Sequence, residues 1–342
     1  MSITLSIVVP CFNSAEYMGG SIDSLLIEGT DDVEVVIVND GSSDATAGIA
    51  DDYVARYPGR VRAVHKENGG HGSAINAGLA VARGTYFKVL DSDDWLDPEA
   101  YREALALLRT WVRRDEPVDL LVTNFVYEKQ GKKRCQSVNY KRALPRNRVL
   151  GWPDVRSFLP WQPMLMHSMI YRTELLRDFG LDVPENCFYV DNYVAFAPLP
   201  TVRTLYYLEV DLYRYFIGRS DQSVNEKVML SRIDQQLRVN RILIQSLSDA
   251  RQKGIPWRLD RYMVNYATMV STVSSALLIR DGSDAALQLK ADLWDEIRAI
   301  DADVYRDMRR LPLGLAVSSH GKAATATVRY GYHIAHRIFG FN

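Results

Sequence analysis

The chain has 342 residues, of which 47% are hydrophobic, and this is more apolar material than one domain core usually needs. We therefore predict two structural parts. The formal net charge is -1, so no field over the whole molecule draws it to nucleic acid, and we expect no nucleic-acid partner. Cys11, Cys135 and Cys187 are too few and too widely spaced for a disulfide framework or a zinc module. This pattern indicates a reducing cytoplasmic setting.

The first third of the chain alternates Val- and Ile-rich runs with helical patterns. Its start has no basic leader, and the first apolar run ends at Pro10, too soon to span a bilayer. The predicted strands are Leu5–Val9, Val33–Val38, Val61–His65, Thr85–Leu90 and Val118–Asn124. The predicted helices are Asp44–Tyr57, capped by Ser43 or Asp44, and Tyr101–Val112. The alternation predicts an α/β fold with a Rossmann-like, mainly parallel sheet sandwiched by helices.

The rest of the chain changes character twice. Residues 125–145 are basic and aperiodic, which predicts an exposed hairpin or loop that is either a solvated face or an anion site. Strands are expected at Met164–Tyr171 and, as two strands with a turn near Glu209, within Thr201–Phe216. Amphipathic patterns then predict a C-terminal helical appendage, with helices at Val224–Lys253, Leu259–Ile279 and Leu287–Ile300. We expect domains at 1–223 and 224–342.

Three carboxylates, Asp91, Asp93 and Asp94, follow the fourth predicted strand directly. Carboxyl ends of strands are where open α/β sheets bind ligands, and clustered carboxylates repel one another unless a cation lies between them. The cluster therefore predicts a divalent metal site. We assign Asp94, with Pro98, to capping the helix that begins near Glu99. We keep Asp91 and Asp93 for chemistry, because one capping side chain does not account for three acids.

Three further polar segments also follow predicted strands. The first, Val8–Asn13, contains Pro10, which removes a backbone donor from the strand. In the second, Val38–Asp44, Asp40 either accepts the imide N–H of a uracil or thymine ring or forms an Asx turn with Ser42. In the third, Asn68–Gly78, four glycines let backbone approach a ligand and offer N–H groups to an anion. The chain lacks the motifs of a Walker loop and of a dinucleotide site.

Taken in order and at their spacing, these four segments resemble the inverting glycosyltransferases of family 2, which have the GT-A fold. The resemblance is close over the first 125 residues and looser to about Asn225. It implies a sugar-nucleotide donor, with a UDP-sugar favoured, and Mg or Mn on Asp93. The implied donor-binding residues are Pro10, Phe12, Asn13, Asp40, Asn68, Gly69, Gly70, Asp91 and Ser92.

One position departs from the family pattern. Where the third segment of the family has an arginine, this chain has Ile75. Candidates to replace the contacts of that arginine are Lys66, His71 and the glycine backbone.

The resemblance also implies a carboxylate base downstream, where Val190–Asp191 keeps only the second acid of the family pair. We predict Asp191 as the base, within walls formed by Phe188, Tyr189, Tyr193 and Trp161 that keep it dry and stack on sugar rings. Glu185 is the competing candidate, and an N-cap on a core helix is the structural alternative for Asp191.

Residues 213–223 resemble a loop that closes over the donor, in which Arg214 or Arg219 offsets diphosphate charge. A surface strand with scattered arginines is the structural alternative. The Gln-x-x-Arg-Trp motif of processive members is absent from the sequence, which favours adding one or a few sugars to an acceptor. The resemblance implies that the acceptor is a saccharide or is lipid-linked. It also implies a role in cell-surface polysaccharide or glycoconjugate synthesis.

The stretch Lys322–Arg337 resembles a basic amphipathic helix that either docks on its own domain or touches an anionic membrane peripherally on the cytoplasmic side. Two other classes of function stay open. One is a sugar-nucleotide-binding protein without catalysis. The other is a nucleotidyltransferase, although Cys11–Ser14 lacks the glycine-rich signature expected there.

Overall fold

A computed structural model describes residues 2–129, 135–218 and 226–319. The chain forms two compact units. Unit 1 comprises residues 1–156 and 164–218, and unit 2 comprises residues 157–163 and 219–342. The C-terminal stretch 322–337, the basic residues Lys132, Lys133 and Arg134, and Arg219 lie outside the described residues.

Unit 1 is built on one sheet. Its strands are β1 Leu5–Cys11, β2 Val33–Asp40, β3 Val61–Lys66, β4 Tyr86–Val89, β5 Trp95–Leu96, β6 Leu120–Lys129, β7 Gln136–Val138, β8 Val149–Leu150, β9 Met169–Arg172 and β10 Leu205–Ile217. Its helices are α1 Met18–Asp23, α2 Thr46–Arg56, α3 Gly70–Val81, α4 Pro98–Arg114, α5 Thr173–Phe179 and α6 Asp191–Phe196.

The sheet is mixed, in the order β3-β2-β1-β4-β9-β6-β10-β5. The first four strands in this order are parallel, and β9 runs antiparallel between β4 and β6. Alternate residues of β1 face opposite sides: Ile7 and Val9 belong to the core cluster that contains residues of α1, α2 and α4, while Val8 meets Gly78 of α3. Helices therefore cover both faces, and the predicted α/β sandwich is confirmed.

Pro10 lies inside β1 without breaking it. The β1–β4 pairing ends at Val8 and Val89, so no β4 residue pairs opposite Pro10. On the other side Pro10 stays in register with Val38 of β2. The carboxyl ends of β3, β2, β1 and β4 lie side by side, and each of the four predicted polar segments follows one of them.

Two element predictions in unit 1 were wrong, and a third was confirmed with a shifted boundary. Residues 205–217 form a single strand rather than two, because the register shifts between Tyr207 and Tyr213 absorb the polar stretch around Glu209. The fifth predicted strand continues beyond Asn124 to Lys129 and pairs antiparallel with β7, so the expected hairpin is present. The segment near Met164 starts as a 3-10 turn, Met166–Ser168, before β9 begins.

Unit 2 contains six helices within the described residues: α7 Glu226–Ser231, α8 Ile233–Gln252, α9 Trp257–Asp281, α10 Asp284–Ile300, α11 Ala302–Arg310 and α12 Pro312–Ser318. The single helix predicted to start at Val224 is therefore two helices, and the last two helices were not predicted. Helix α9 is the one described helix whose length and composition would allow it to cross a membrane, but 78% of its apolar window is buried within the protein. A helix in the core of a protein can be equally long and equally apolar.

Candidate active site

The turns that follow β1 and β2 are tied together by Asn13. Its backbone has a positive φ of 48°, and its side-chain Oδ1 accepts a hydrogen bond from the backbone N–H of Ser43 at 2.9 Å. Its own N–H donates to Ser42 Oγ at 2.9 Å. Phe12 beside it is 51% exposed, and Ser92 contacts Ser14 Oγ at 2.9 Å. The first two segments and Ser92 are thus brought to one edge of the sheet.

Asp40 is buried and holds the glycine segment rather than a turn of its own. Its Oδ1 accepts from Gly69 N–H at 3.0 Å and Lys66 Nζ at 2.9 Å, and its Oδ2 accepts from Gly70 N–H at 2.8 Å. Ser42 N–H, which the predicted Asx turn would direct to Asp40, donates instead to Asn39 Oδ1, three residues earlier.

These bonds correct two expectations. The N–H groups of Gly69 and Gly70 are used by Asp40 and do not face an external anion. Lys66, offered as a substitute for the missing arginine, is paired with the same carboxylate. Gly41 brings the second and third segments together, because a Cβ there would lie 2.6 Å from the backbone nitrogen of Asn68.

The acidic turn, Asp91–Asp94, corrects the assignment of its last member. The N-cap of α4 is Asp97, which accepts from the N–H groups of Glu99 and Ala100. Asp94 is 1% exposed and points inward, where it accepts from the Tyr213 hydroxyl at 2.6 Å and from Phe216 N–H at 2.8 Å. The carboxylate that we assigned to capping therefore belongs to the acid cluster.

Tyr213 joins the two ends of the acidic turn. Its hydroxyl donates to Asp94 and accepts from the backbone N–H of Asp91 at 3.1 Å. Burial raises the pKa of Asp94 well above its usual range, and the negative charges of Asp93 and Asp91 add to the effect. Asp93 lies close enough for its charge to raise the pKa of Asp94. The role of Asp93 as a metal ligand stays a prediction.

Two histidines contact Asp91. His71 Nε2 lies 3.0 Å from Asp91 Oδ1, and His167 Nε2 lies 3.5 Å from Asp91 Oδ2. Burial alone would raise the pKa of Asp91, but the contacts with His167 and His71 outweigh it and lower the pKa. Burial also opposes the charged form of His71, yet its bond to Asp91 raises the pKa of His71. This pairing makes His71 part of the site rather than a separate structural residue.

Asp91, Asp94 and His167 each offer a ligand atom, and the three atoms lie within 4.8 Å of one another. Carboxylate and imidazole are both ligands of divalent transition metals, so these residues fit a bound cation. Sequence reasoning missed His167, which lies in a segment that showed only a strand pattern. It also missed Tyr213, because the resemblance of residues 213–223 to a donor-closing loop singled out the arginines of that segment.

Lys88 lies under the acidic turn, in the middle of β4. Its side chain is buried, and Nζ donates to the backbone carbonyl of His167 at 2.7 Å and lies 5.0 Å from the centre of the Tyr213 ring. Burial lowers the pKa of Lys88 to about 7, against the opposing influence of Asp91 and Asp94. A charged residue inside an otherwise apolar strand was the available sequence signal for this group.

Asp191 is the first residue of α6, and Val190 occupies its N-cap position, so the N-cap alternative was wrong. Burial raises the pKa of Asp191, and Asp91 adds to this, while His167 and His71 act in the opposite direction. The charges of the acidic turn and of Asp191 therefore influence one another. The competing Glu185 is exposed and accepts from Ser73 Oγ at 2.8 Å.

The loop before Asp191, residues 182–191, is fastened to α3. Asn186 N–H donates to the Gly69 carbonyl at 2.6 Å, and the side chain of Asn76 bonds Val183 through both its nitrogen and its oxygen. Phe188, Tyr189 and Tyr193 lie on or beside this loop, whereas Trp161 belongs to unit 2.

Arg214 does not occupy the predicted flexible loop. It lies in β10, and its guanidinium forms ion pairs with Asp97 at 2.8 Å and Glu128 at 3.0 Å. These two carboxylates already neutralise the side chain, so we correct its assignment from the donor diphosphate to this ion-pair cluster. Arg219 lies outside the described residues.

The mixed sheet, with helices on both faces and ligand-type residues at its strand ends, has the architecture of the GT-A fold. S. aureus TarS 1–349 matches with a TM-score of 0.69 and 19% identity, over 97% of this chain and 92% of that chain. The same TarS segment in complex with UDP-GlcNAc matches with a TM-score of 0.53 and 21% identity, over 92% and 90%. Mannosyltransferase PcManGT from Pyrobaculum calidifontis, in complex with GDP-Man and Mn2+, matches with a TM-score of 0.54 and 16% identity, over 97% and 80%. At these identities the likeness concerns the fold alone.

Residues 6–165 match the family model described as Glycosyl transferase family 2. The matched segment is just under half of the chain, and it is similar to that family. EpsH of Bacillus subtilis (strain 168), a protein named as a glycosyltransferase, is 29% identical over 231 residues, which are 63% of this chain and 61% of EpsH. This chain therefore spans less than two thirds of the length of that relative.

Proposed function

We propose that the protein is a metal-dependent inverting glycosyltransferase, which moves a sugar from a nucleoside diphosphate donor to a hydroxyl acceptor. The observation that carries this proposal is the group formed by Asp91, Asp94 and His167, whose ligand atoms lie within 4.8 Å of one another and fit a cation. Asp191 lies near enough to this group for the charges of Asp91 and His167 to act on its pKa. Burial raises the pKa of Asp191, and a carboxyl with a raised pKa is a better general base than an ordinary aspartate.

The reaction is a single displacement at the anomeric carbon. The bond from this carbon to the diphosphate oxygen breaks, the bond to the acceptor oxygen forms, and Asp191 takes the proton of the acceptor hydroxyl. A divalent ion bound at the acidic turn would offset the charge of the departing diphosphate. Asp93, which is half-buried like Asp91, is our choice for the ligand nearest the donor. One displacement inverts the anomeric configuration.

The donor is a sugar nucleotide, with a UDP-sugar as the first candidate. TarS 1–349 was solved with UDP-GlcNAc and PcManGT with GDP-Man and Mn2+, and both share the fold of this chain. Phe12 and Asn13, which are exposed at the edge where the turns meet, are the residues we expect to contact the base. We place the enzyme in the cytoplasm, because its three cysteines are free.

The acceptor is a saccharide or a lipid-linked saccharide, and we place the reaction in cell-surface polysaccharide synthesis. We propose that its contact with the membrane is peripheral. The similarity of residues 6–165 to glycosyl transferase family 2 supports this choice of acceptor.

The test combines donor binding with transfer. A panel of sugar nucleotides is screened by thermal shift with and without Mn2+, and the best donor is used to measure release of nucleoside diphosphate with a range of acceptors. Bound donor at one hundred times its Kd stabilises the folded state by about 2.7 kcal/mol. We expect metal-dependent stabilisation by one class of donor. Stabilisation without transfer to any acceptor would point to a binding protein, and pyrophosphate release from a nucleoside triphosphate would point to a nucleotidyltransferase.

Two matched variants separate the role of metal ligand from the role of general base. Asp93→Asn is expected to lose metal-dependent donor binding, while Asp191→Asn keeps donor binding and loses transfer. Isothermal titration calorimetry decides the assignment, because loss of donor binding in the Asp191 variant alone would reverse it.

A further inference from the structure

His167 is held rigidly, and one of its ring nitrogens has no partner among the described residues. Its side chain is 6% exposed, and its ring packs on Tyr215, Tyr213 and Phe125 with centroid distances of 4.6, 4.8 and 5.8 Å. Nδ1 is buried without a hydrogen-bond partner. Because no acceptor or donor at Nδ1 imposes a tautomer on the ring, Nε2 can present its lone pair to a ligand.

The other ring nitrogen faces the carboxylates. Nε2 of His167 lies 3.5 Å from Asp91 Oδ2, which is long for a hydrogen bond. Metal–ligand bonds of about 2.0–2.2 Å place neighbouring ligand atoms about 3 to 4 Å apart, and the observed separation falls in that range. A proton on Nδ1 leaves the Nε2 lone pair directed at the same space as Asp91 and Asp94.

The surrounding residues fix the carboxylates of this group. His71 Nε2 holds Asp91 Oδ1 at 3.0 Å, and the Tyr213 hydroxyl holds Asp94 Oδ2 at 2.6 Å. Residues that hydrogen-bond to metal ligands without touching the ion themselves orient those ligands in protein metal sites. The group is therefore preorganised by four separate parts of the chain: the acidic turn, helix α3, the 3-10 turn before β9, and β10.

We propose that the cation of the proposed function is bound by Asp91, Asp94 and the imidazole of His167, with Asp93 on the donor side. This inference rests on the proposed function, and it adds a nitrogen ligand from outside the acidic turn. Mg2+ favours oxygen ligands, whereas Mn2+ accepts imidazole as well. The site is consequently selective for Mn2+ over Mg2+.

Pulsed electron paramagnetic resonance of bound Mn2+ tests the nitrogen ligand without donor, acceptor or turnover. We expect the wild-type protein to show the 14N coupling of a directly bound imidazole. His167→Phe keeps an aromatic ring in the cage and should lose the coupling, with Mn2+ binding at least tenfold weaker. His65→Asn, which removes a histidine that pairs with Asp51, is the matched control and should keep both.

Wild-type protein that binds Mn2+ without 14N coupling overturns the inference, and this measurement needs no variant to fold. Retention of coupling and affinity in His167→Phe overturns it equally. The competition of Mg2+ against Mn2+ supplies a second readout: His167→Glu, which offers oxygen instead of nitrogen, should reduce the preference for Mn2+ at least tenfold.

The same measurements separate this inference from the proposed function. Sugar transfer by an enzyme whose Mn2+ shows no nitrogen ligand leaves the function standing and removes the inference. Clear 14N coupling in a protein that transfers no sugar supports the metal centre and counts against the function.

Discussion

At the residue scale, the two aspartates that face the histidines behave in opposite ways. The contacts with His167 and His71 lower the pKa of Asp91, so its ionised form stabilises the folded state. Burial raises the pKa of Asp191, so its ionised form costs folding free energy. Residues of one type thus take different roles because their surroundings differ: Asp91 stays ionised as a ligand, and Asp191 is able to take a proton.

This difference predicts opposite effects of the same substitution. Above its raised folded pKa, ionised Asp191 destabilises the protein, so Asp191→Asn should keep or raise the melting temperature while transfer is lost. Asp91 stabilises the fold above its unfolded pKa, about 3.9, and Asp91→Asn should lower the melting temperature by several degrees at neutral pH.

Differential scanning calorimetry of both variants at pH 7, with chelator present, provides the measurement. Equal losses of stability in the two variants would show that the two carboxyls do not differ as the structure indicates.

At the element scale, the position of Asp191 depends on how the loop 182–191 packs on α3. Gly72 makes the close approach possible, since a Cβ at this position would lie 2.3 Å from the carbonyl oxygen of Pro184 and 2.9 Å from Val183 Cγ1. The contact with Pro184 is to backbone, which cannot move aside by a simple rotamer change. The loop must shift to accept any side chain here.

Gly72→Ala should therefore displace the loop and lower the rate of transfer. Overpacking of this kind costs about 1–3 kcal/mol, which exceeds the gain of about 1 kcal/mol that alanine brings to a helix. Gly48→Ala in α2 is the matched control, because nothing lies within 4 Å of its added Cβ. The control should gain stability and keep its activity. Steady-state kinetics and urea unfolding of both variants test this prediction. Full activity in Gly72→Ala would contradict the proposal that the packing of the loop 182–191 on α3 positions Asp191.

The elements also show what the sequence could and could not predict. The strands that end at polar segments were identified because a buried parallel strand is a continuous apolar run, and the residues after it are short-range neighbours. The assignment of the α4 cap failed because Asp94 and Asp97 are the same residue type three positions apart, and the short strand β5 between them has no sequence signal of its own.

Long-range partners account for the other failures. Arg214 pairs with Asp97, 117 positions away, and His167 meets Asp91, 76 positions away, so no local pattern reveals either contact. The polar residues around Glu209 predicted a turn, whereas the sheet accommodates them as an irregularity within one strand. The chemistry of each segment was readable, but which side chains face each other was decided by the fold.

At the scale of the whole molecule, stability should depend on pH through a few buried groups, since the net charge of -1 contributes little. Burial lowers the pKa of Lys88 to about 7, below its unfolded value of about 10.4. Burial raises the pKa of other groups, among them Tyr53, Tyr127 and Tyr207, each to about 12.

The lowered pKa of the lysine and the raised pKa values of the tyrosines change the free energy of unfolding in opposite directions as the pH rises. Between pH 7 and 10 the unfolded chain holds a proton on the lysine that the folded protein has released, so the free energy of unfolding rises with pH, by up to about 5 kcal/mol for a shift of this size. Above pH 10 the unfolded chain loses tyrosine protons that the folded protein keeps, and stability falls. We expect a maximum near pH 9 to 10 for the metal-free protein.

Lys88→Met isolates the first of these effects. Methionine fills the same buried space without a proton to lose, so the rise between pH 7 and 10 should disappear while the fall above pH 10 remains. Lys253→Met, at an exposed position after α8, is the control and should keep the wild-type profile. Urea unfolding at closely spaced pH values, with chelator present, measures all three proteins. If the free energy of unfolding of Lys88→Met rises with pH as that of the wild type does, the buried lysine is not the source of the pH dependence. Lys88 would then have to keep its charge in the folded protein, through an attraction to the acidic turn that outweighs the effect of its burial.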